Sequence, residues 1–441
     1  MWLLPAFSLI SEAAARVYYR LTVSGAQIPG SGPVLLVANH PNSLLDPVLV
    51  SAVARRRVRY LAKATLFTDR MVGWLVRGSG AIPVYRQVDD AQAMDGNVDM
   101  FRAVHAALDE GAAIGIFPEG LSHSEPGLVP LKTGAARIAL GAAAGHSTAF
   151  PIVPVGLVFR RKHVFRSEAF AVIGQPVEWD DLAGRTADDQ DAVRELTTLI
   201  DAALRRVTLN LERWEDRPLV ECTEGIWTAQ WGADTDEAQR LARLGVTTSV
   251  LRQLRETRAS RWAGMIGEIT THCRRLERLR LKPGDLHRDV RIRAGVTWGL
   301  RRLYLAGLPA FLVGLAGYVL FRAPYQATDR LTRIVKPDRD RRATYNLLIG
   351  IVLYTTWVLA LGAVATWRLG VLAGISAVLV VPVVGLIGLW TRERWRGAGR
   401  DARRFFLLRS RRTLIETLRQ RQQEIAEGLR EMYATFVVGR D

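Results

Sequence analysis

Short apolar segments alternate with helical segments between residues 30 and 180, and this rhythm limits the fold more than any other feature of the chain. The apolar segments are rich in Val, Ile and Leu, which is typical of strands buried in a sheet. We predict strands at 34–38, 57–62, 80–84, 113–117, 151–158 and 170–174. The helices predicted between them cover 46–55, 68–76, 97–109 and 132–143. This order predicts an α/β layer fold.

The first of these strands leads directly into polar residues. The strand at 34–38 is followed by Asn39 and His40, and Asp46-Pro47 then has the pattern of a helix start with Asp at the N-cap. In open α/β sheets, ligands bind at the carboxyl ends of the strands. A carboxylate on this loop could fix the imidazole tautomer and leave the other ring nitrogen as a base. Ordinary turn chemistry is the alternative explanation of the pair.

Three more stretches carry distinctive residues. One stretch, residues 80–86, has the sequence Gly-Ala-Ile-Pro-Val-Tyr-Arg, and its Arg86 lies just beyond the end of the predicted strand, where alone it would be a solvated surface charge. A second leads into Phe-Pro-Glu-Gly-Leu-Ser-His, in which Glu119 and Gly120 fall in a tight turn. Lys132 then opens a helix whose first amides could hold a phosphate. The last stretch, at 152–156, is Ile-Val-Pro-Val-Gly.

These four stretches, in this order, resemble the sequence blocks of the glycerolipid acyltransferases that act on glycerol phosphate and lysophosphatidate. The family blocks are an Asn-His box ending in Asp, a Gly-x-x-Pro-x-x-Arg block, a Phe-Pro-Glu-Gly block and a Val-Pro block. The resemblance covers residues 16–180 and is strongest to the glycerol-3-phosphate and dihydroxyacetone-phosphate branch. One departure is that five residues separate His40 from Asp46, where the common box has four. Because the box spans a loop, an extra residue can bulge without separating the two groups.

The resemblance implies an acyltransferase layer fold with a mixed sheet flanked by helices. It also implies that His40 is the general base and that Asp46 orients it. Arg86 would bind the substrate phosphate through its guanidinium fork, and Glu119 and Gly120 would shape the acceptor pocket. The acyl thioester of acyl-CoA is already activated, so the reaction requires no metal or redox cofactor.

Four further residues complete the predicted substrate-binding set. Asn39 and Ser122 lie inside the blocks. Lys63 and Lys132 lie beside them, and a compact ammonium suits phosphate, although chance would also explain their positions. The chain has few lysines, at positions 63, 132, 162, 282 and 336. Ser122 and His123 are a weaker candidate for a second catalytic pair, because they lie in a turn without a third group to orient the imidazole.

The charge of the chain points to an anionic partner. The formal net charge is +17 and the sequence pI is about 10.6, which suits membrane phospholipid, a phosphorylated substrate or nucleic acid. Nucleic acid is the least favoured partner, because the aromatic residues do not interleave with the basic ones in a recognisable module. Cys222 and Cys273 have no metal-ligand spacing, and we expect no disulfide framework, as is typical of a reducing compartment.

Composition predicts five regions along the chain. Residues 1–29 are an N-terminal amphipathic helix, packed on its own domain or in contact with a membrane. Residues 30–180 are the α/β acyltransferase domain, and residues 181–302, rich in Arg, Glu and Leu, are a helical extension. Residues 303–392 are a membrane region of transmembrane helices, and residues 393–441 are a basic C-terminal helix.

Two apolar runs in the membrane region, 347–366 and 369–390, are each long enough to cross a bilayer. Arginines crowd both outer flanks, so the positive-inside rule predicts a hairpin with both flanks in the cytoplasm. The segment 304–321 contains Pro309 and has basic residues on both sides, and we expect it to dip into the membrane or lie at its surface. The prediction is a multi-pass protein whose active site faces the cytoplasm at the inner or plasma membrane.

Taken together, these features favour a membrane-bound enzyme that transfers a fatty acyl group from acyl-CoA to glycerol 3-phosphate. Lysophosphatidate and dihydroxyacetone phosphate are alternative acceptors. An alternative of a different class is a non-catalytic, membrane-anchored protein that binds acidic lipids. The combination of His40, Asp46, Arg86 and Glu119 argues against that alternative.

Overall fold

The computed structural model describes residues 4–70, 72–85, 96–144, 149–232, 237–257, 262–288, 308–338 and 341–438. The chain divides into two compact units. The first consists of Met1–Asp216, Asp234–Thr248 and Asp338–Thr344, and the second of Arg217–Ala233, Ser249–Pro337 and Tyr345–Asp441.

The first unit is built on a mixed seven-stranded sheet, which confirms the predicted fold class. Its strands are β1 Tyr19–Gly25, β2 Val34–Ala38, β3 Val58–Lys63, β4 Ile82–Val84, β5 Ala113–Ile116, β6 Ile152–Phe159 and β7 Ser167–Ile173. They lie in the order β1-β7-β6-β2-β5-β3-β4. Strands β2 to β6 are parallel to one another, β7 is antiparallel to β6, and β1 is parallel to β7.

Strand β2 is the centre of this sheet and pairs with β5 on one side and β6 on the other. The side chains from Val34 to Val37 have no solvent exposure, as expected for a parallel strand that is covered on both faces. Because β2 to β6 are parallel, their carboxyl ends meet at one edge of the sheet. That edge therefore receives the polar residues that follow each strand.

Helices make up most of the remaining described residues. Those from the first half are α1 Leu4–Tyr18, α2 Leu45–Ala54, α3 Gly73–Gly78, α4 Gly96–Asp109, α5 Gly134–Ala143 and α6 Gln190–Val207. They are followed by α7 Arg217–Trp231, α8 Glu237–Thr257, α9 Ala263–Leu279, α10 Leu308–Leu320, α11 Arg322–Val335, α12 Arg342–Leu369, α13 Val371–Ser410 and α14 Arg412–Val438. Short 3-10 helices lie at Ala64–Phe67, Asp180–Leu182, Trp214–Asp216 and Pro283–His287.

The first strand is the main difference from the predicted elements. The helix expected at 1–29 ends at Tyr18, and β1 follows it at once. Along β1 only Tyr19 is buried, so this strand lacks the continuous apolar run that identified the others. It pairs with β7, which lies about 150 residues further along the chain, and this tertiary contact decides its structure.

The two cysteines form a disulfide in the second unit, so the expectation of free thiols is wrong. Cys222 of α7 and Cys273 of α9 are bonded, with 6.2 Å between their Cα atoms. The bond joins helices that are 51 residues apart, and the spacing of two cysteines cannot reveal such a contact. The argument from free thiols for a reducing compartment therefore fails.

Helices α12 and α13 contain the two predicted apolar runs and join at Gly370, which has a φ of 93°. By length and composition, Arg342–Leu369 and Val371–Glu393 could each cross a membrane. In the most apolar 18-residue stretch of each helix, the protein buries only 6% and 11% of the residues, respectively. Their apolar surfaces are therefore exposed, unlike those of helices in a soluble core.

Helices α10 and α11 pack against this pair within the second unit. Gly317 of α10 lies against Val384 of α13, and Gly314 lies against Thr391, so α10 is antiparallel to α13. A side chain at either glycine would collide with α13, as is common where small residues allow close helix packing. At the end of α10, the indole N–H of Trp357 in α12 donates to the Leu320 carbonyl at 3.1 Å.

We predict that Gly156→Ala destabilises the first unit. A Cβ at position 156 in β6 would lie 1.7 Å from the carbonyl oxygen of Val207, the last residue of α6. Helix α6 must then move away from the sheet, at a cost of about 3 kcal/mol in the free energy of unfolding. The matched control is Gly184→Ala, because a Cβ there would have no atom within 4 Å. Thermal unfolding should show a lower Tm for the first variant only, and equal Tm values would contradict this packing.

Candidate active site

The residues singled out in the sequence meet at the carboxyl edge of the parallel strands. His40 follows β2, and Glu119 follows the neighbouring strand β5. The backbone N–H of His40 donates to Glu119 Oε1 at 2.6 Å. Sheet topology therefore joins two blocks that are 79 residues apart.

The His40 and Asp46 side chains form a hydrogen-bonded pair. Nδ1 of His40 lies 2.8 Å from Oδ2 of Asp46, which also accepts the Asn42 backbone N–H at 2.6 Å. Asp46 has no solvent exposure, whereas 19% of the His40 side chain is exposed. The imidazole also stacks on Phe117, with 4.1 Å between the ring centroids.

This geometry defines the tautomer of His40. The carboxylate accepts a hydrogen bond from Nδ1–H, so Nε2 of the neutral ring keeps its lone pair. Burial raises the pKa of Asp46, while His40, the Asn42 N–H and the charge of Lys162 act in the opposite direction. The ionised form of Asp46 therefore depends on these partners. Because the ring is partly exposed, Nε2 can act as a base towards a bound hydroxyl group.

The extra residue of the box forms a bulge at Ser43. Ser43 has a φ of 49°, in the left-handed region, and its N–H donates to Ser122 Oγ at 3.0 Å. The bulge lets five residues separate His40 from Asp46 while their side chains stay in contact. Asp46 is not the N-cap that the sequence suggested. Helix α2 begins at Leu45, and the carboxylate turns towards His40 instead of the helix amides.

Glu119 holds the neighbouring loop together. Only 1% of this residue is exposed. Besides the His40 N–H, its carboxylate accepts the Val129 N–H at 3.1 Å and the Nε2–H of His123. The carboxylate thus joins three segments and has its partners within the protein. These hydrogen bonds hold the segment that follows β5 against the His40 loop.

His123 has the orienting group that the sequence analysis did not find. Its Nδ1 accepts a hydrogen bond from the Glu125 N–H at 3.1 Å, so Nε2 carries the hydrogen and donates it in a hydrogen bond to Glu119. Ser122 Oγ accepts from Ser43, on the other loop. The two side chains therefore have separate partners, and both stabilise the loops. Ser122, predicted to bind substrate, has its hydroxyl oxygen bonded to the protein backbone.

Asn39 is likewise bonded to the protein. Its amide donates to the Leu157 carbonyl at 3.0 Å and accepts the Leu157 N–H at 2.7 Å. These two hydrogen bonds to the backbone of β6 extend the pairing of β2 beyond its last residue. The structure therefore places Asn39 as a clamp between strands, whereas the sequence suggested a substrate contact.

The charged candidates surround the same edge. Lys63 is the last residue of β3 and is half-buried. Lys132 is exposed, and its side chain packs against Gly120, whose φ of 74° favours glycine. Its backbone N–H donates to Pro118 at 2.7 Å, and α5 begins two residues later, at Gly134. Arg86 lies outside the described residues.

Sequence reasoning missed Lys162, which lies three residues beyond β6. Its ammonium donates to the Pro41 carbonyl at 2.6 Å and to Ser124 Oγ at 2.7 Å. Tyr19 was missed as well, and its hydroxyl accepts from the Asn42 amide at 2.7 Å. The scarcity of lysine in an arginine-rich chain was the one available signal for Lys162.

Comparison with known proteins identifies the fold around this site. A family model described as Acyltransferase matches residues 20–158. Glycerol-3-phosphate O-acyltransferases 2 and 1 of Saccharomyces cerevisiae are 33% and 34% identical over 134 and 137 residues. Each match covers 30% of this chain and 18% of the yeast protein, so the chain spans under a fifth of these relatives.

Two bacterial proteins are also similar. The 1-acyl-sn-glycerol-3-phosphate acyltransferase of Streptococcus pneumoniae is 25% identical over 183 residues, which are 41% of this chain and 63% of that protein. The crystal structure of the acyltransferase PlsC from Thermotoga maritima aligns with a TM-score of 0.34 and 18% identity, over 46% of this chain and 78% of that one. The His40–Asp46 pair lies within the matched region, and residues 20–158 form an acyltransferase domain that is similar to part of the yeast glycerol-3-phosphate O-acyltransferases.

Proposed function

We propose that the protein is a membrane-bound acyltransferase that transfers a fatty acyl group from acyl-CoA to glycerol 3-phosphate. The observation that carries the proposal is the 2.8 Å contact between Nδ1 of His40 and Asp46, which leaves Nε2 of a partly exposed imidazole available as a base. The yeast relatives are named as glycerol-3-phosphate acyltransferases, which supports this acceptor.

In the proposed reaction, Nε2 of His40 takes the proton of the acceptor hydroxyl while the hydroxyl oxygen bonds to the thioester carbonyl carbon. The tetrahedral intermediate then collapses, the carbon–sulfur bond breaks, and the imidazolium returns the proton to the thiolate of coenzyme A. Asp46 stabilises the imidazolium between these steps. General-base assistance contributes roughly 100- to 10,000-fold, and positioning of the two substrates supplies much of the rest.

The acceptor is tested by offering purified protein labelled acyl-CoA together with glycerol 3-phosphate, dihydroxyacetone phosphate or lysophosphatidate. We expect the highest kcat/KM with glycerol 3-phosphate. Lysophosphatidate is the second candidate, because the Streptococcus pneumoniae relative is named for that class of acceptor. Transfer to none of the three would favour a non-catalytic protein that binds acidic lipids.

The base is tested by substitution of the paired residues. His40→Ala should lower turnover at least about 100-fold, the effect expected for a lost general base. Asp46→Asn should also lower turnover strongly, because an amide can donate to Nδ1 and favour the wrong tautomer. Glu125→Gln, at an exposed position near the site, is the control. A folded His40→Ala variant with a normal rate would refute the mechanism.

The proposed role of Arg86 is to bind the acceptor phosphate. A group that binds phosphate equally in the ground and transition states contributes uniform binding. Arg86→Lys should therefore raise KM for the phosphorylated acceptor more than it lowers kcat, and KM for acyl-CoA should stay nearly constant. A change confined to acyl-CoA would assign Arg86 to the donor, and Lys63 or Lys132 would become the better candidates for the phosphate.

We further propose that α12 and α13 form a membrane hairpin with both flanks in the cytoplasm. Arginine-rich flanks support this orientation. In this orientation the later part of α13 lies towards the cytoplasm. Because α10 packs against that part, α10 would lie near the cytoplasmic surface. The Cys222–Cys273 disulfide argues in the opposite direction, since cytoplasmic thiols are normally reduced.

Labelling of introduced cysteines decides between these arguments. Leu369→Cys, at the exposed turn between the helices, should react with a membrane-impermeant maleimide in intact cells. Ser410→Cys, at the end of α13, should react only after the membrane is permeabilised. The unmodified protein measures the background from its own cysteines. Labelling of Ser410→Cys from outside would reverse the proposed orientation.

A further inference from the structure

We propose that Lys162 is a positioning residue that locks the two motif loops together and thereby sets the geometry of His40. The proposal rests on the proposed acyl transfer for its kinetic consequence and on the contacts of Lys162 for everything else. Lys162 follows β6 and lies outside all four sequence blocks.

The ammonium of Lys162 contacts both loops. It donates to the Pro41 carbonyl at 2.6 Å, next to His40 in the first loop. In the second loop it donates to Ser124 Oγ at 2.7 Å and to the His123 carbonyl at 3.3 Å. The two loops leave neighbouring strands, and Lys162 comes from the strand on the far side of β2. One side chain therefore spans three consecutive strands of the sheet.

The number and directions of these acceptors suit lysine. An ammonium has three donors arranged around one nitrogen, and here it meets three oxygen acceptors. A guanidinium is planar and larger, so it cannot direct its donors to the same three oxygens. This explains why lysine stands here in a chain that otherwise uses arginine for nearly all its positive charge.

Lys162 also acts on Asp46 through its charge. The titratable groups that influence the buried carboxylate are His40 and Lys162, and Tyr19 lies close to it. The positive charge of Lys162 lowers the pKa of Asp46 and favours the ionised form that His40 needs as an acceptor. The Tyr19 hydroxyl in turn donates to the Lys162 carbonyl and accepts from Asn42, so the same network holds the backbone of Lys162.

Two substitutions separate charge from geometry. Lys162→Met removes the charge and all three donors, and it should lower kcat roughly 10- to 100-fold with little change in acceptor KM. The acid limb of its pH–rate profile should move to higher pH, by up to about one unit, because the pKa of Asp46 rises. Lys162→Arg keeps the charge, so its pH profile should match wild type while its kcat falls.

The matched control is Arg160→Met. Arg160 is an exposed residue two positions before Lys162 and pairs with Glu168, so this variant removes a positive charge from a surface ion pair. Its kcat and pH profile should equal those of wild type. Ser124→Ala, which removes one of the three acceptors, should lower kcat less than Lys162→Met does.

Hydrogen exchange tests the proposal without any activity. Lys162→Met should increase amide exchange in both loops, at 39–45 and 120–125, whereas Arg160→Met should not. This result is expected even if the wild-type protein transfers no acyl group, so failure of the proposed function is distinguishable. If Lys162→Met does not fold, Lys162→Arg and Ser124→Ala are measured in the same way. Unchanged exchange in both loops, or wild-type kcat in Lys162→Arg, would overturn the proposal.

Discussion

The burial of the Asp46 carboxylate is the constraint on which the site depends. A charge without solvent exposure costs several kcal/mol unless it is paired and hydrogen-bonded. Here the compensation comes from the imidazole of His40 and the backbone N–H of Asn42, and both reach the same oxygen, Oδ2. The loop from His40 to Asp46 must keep the conformation that supplies these donors. The orientation of the imidazole is thus a consequence of where the carboxylate is buried.

Hydrogen bonds also connect the loop that follows β2 with the loop that follows β5. Glu119 accepts the N–H of His40, Ser122 accepts the N–H of Ser43, and Lys162 bonds both loops. Each loop leaves the sheet from a different strand, so the parallel arrangement brings them together and the polar contacts fix their relative positions. A site of this kind is preorganised, because hydrogen bonds within the protein fix the loops that carry the candidate base.

The sequence predicted the strands of the parallel sheet because buried parallel strands are continuous apolar runs bounded by polar residues. It could not predict β1, since Tyr19 is the single buried residue on that strand. Nor could it assign Asp46 correctly at the start of α2. The carboxylate has two possible uses there, and the tertiary contact with His40 decides between them. Lys162 and the Cys222–Cys273 bond depend on which elements pack together, which no local pattern contains.

The structure also separates residues that form the site from residues that can distinguish substrates. Glu119, Asn39 and Ser122 belong to the recognisable blocks, yet their polar atoms bond to the protein itself. These hydrogen bonds fix the loops around His40. A side chain that distinguishes one acceptor from another needs a polar group that reaches the edge of the sheet. The exposed ammonium of Lys132 is one described group with that position. Under the proposed function, the blocks therefore combine residues that hold the loops in place with a residue, Arg86, that contacts the acceptor.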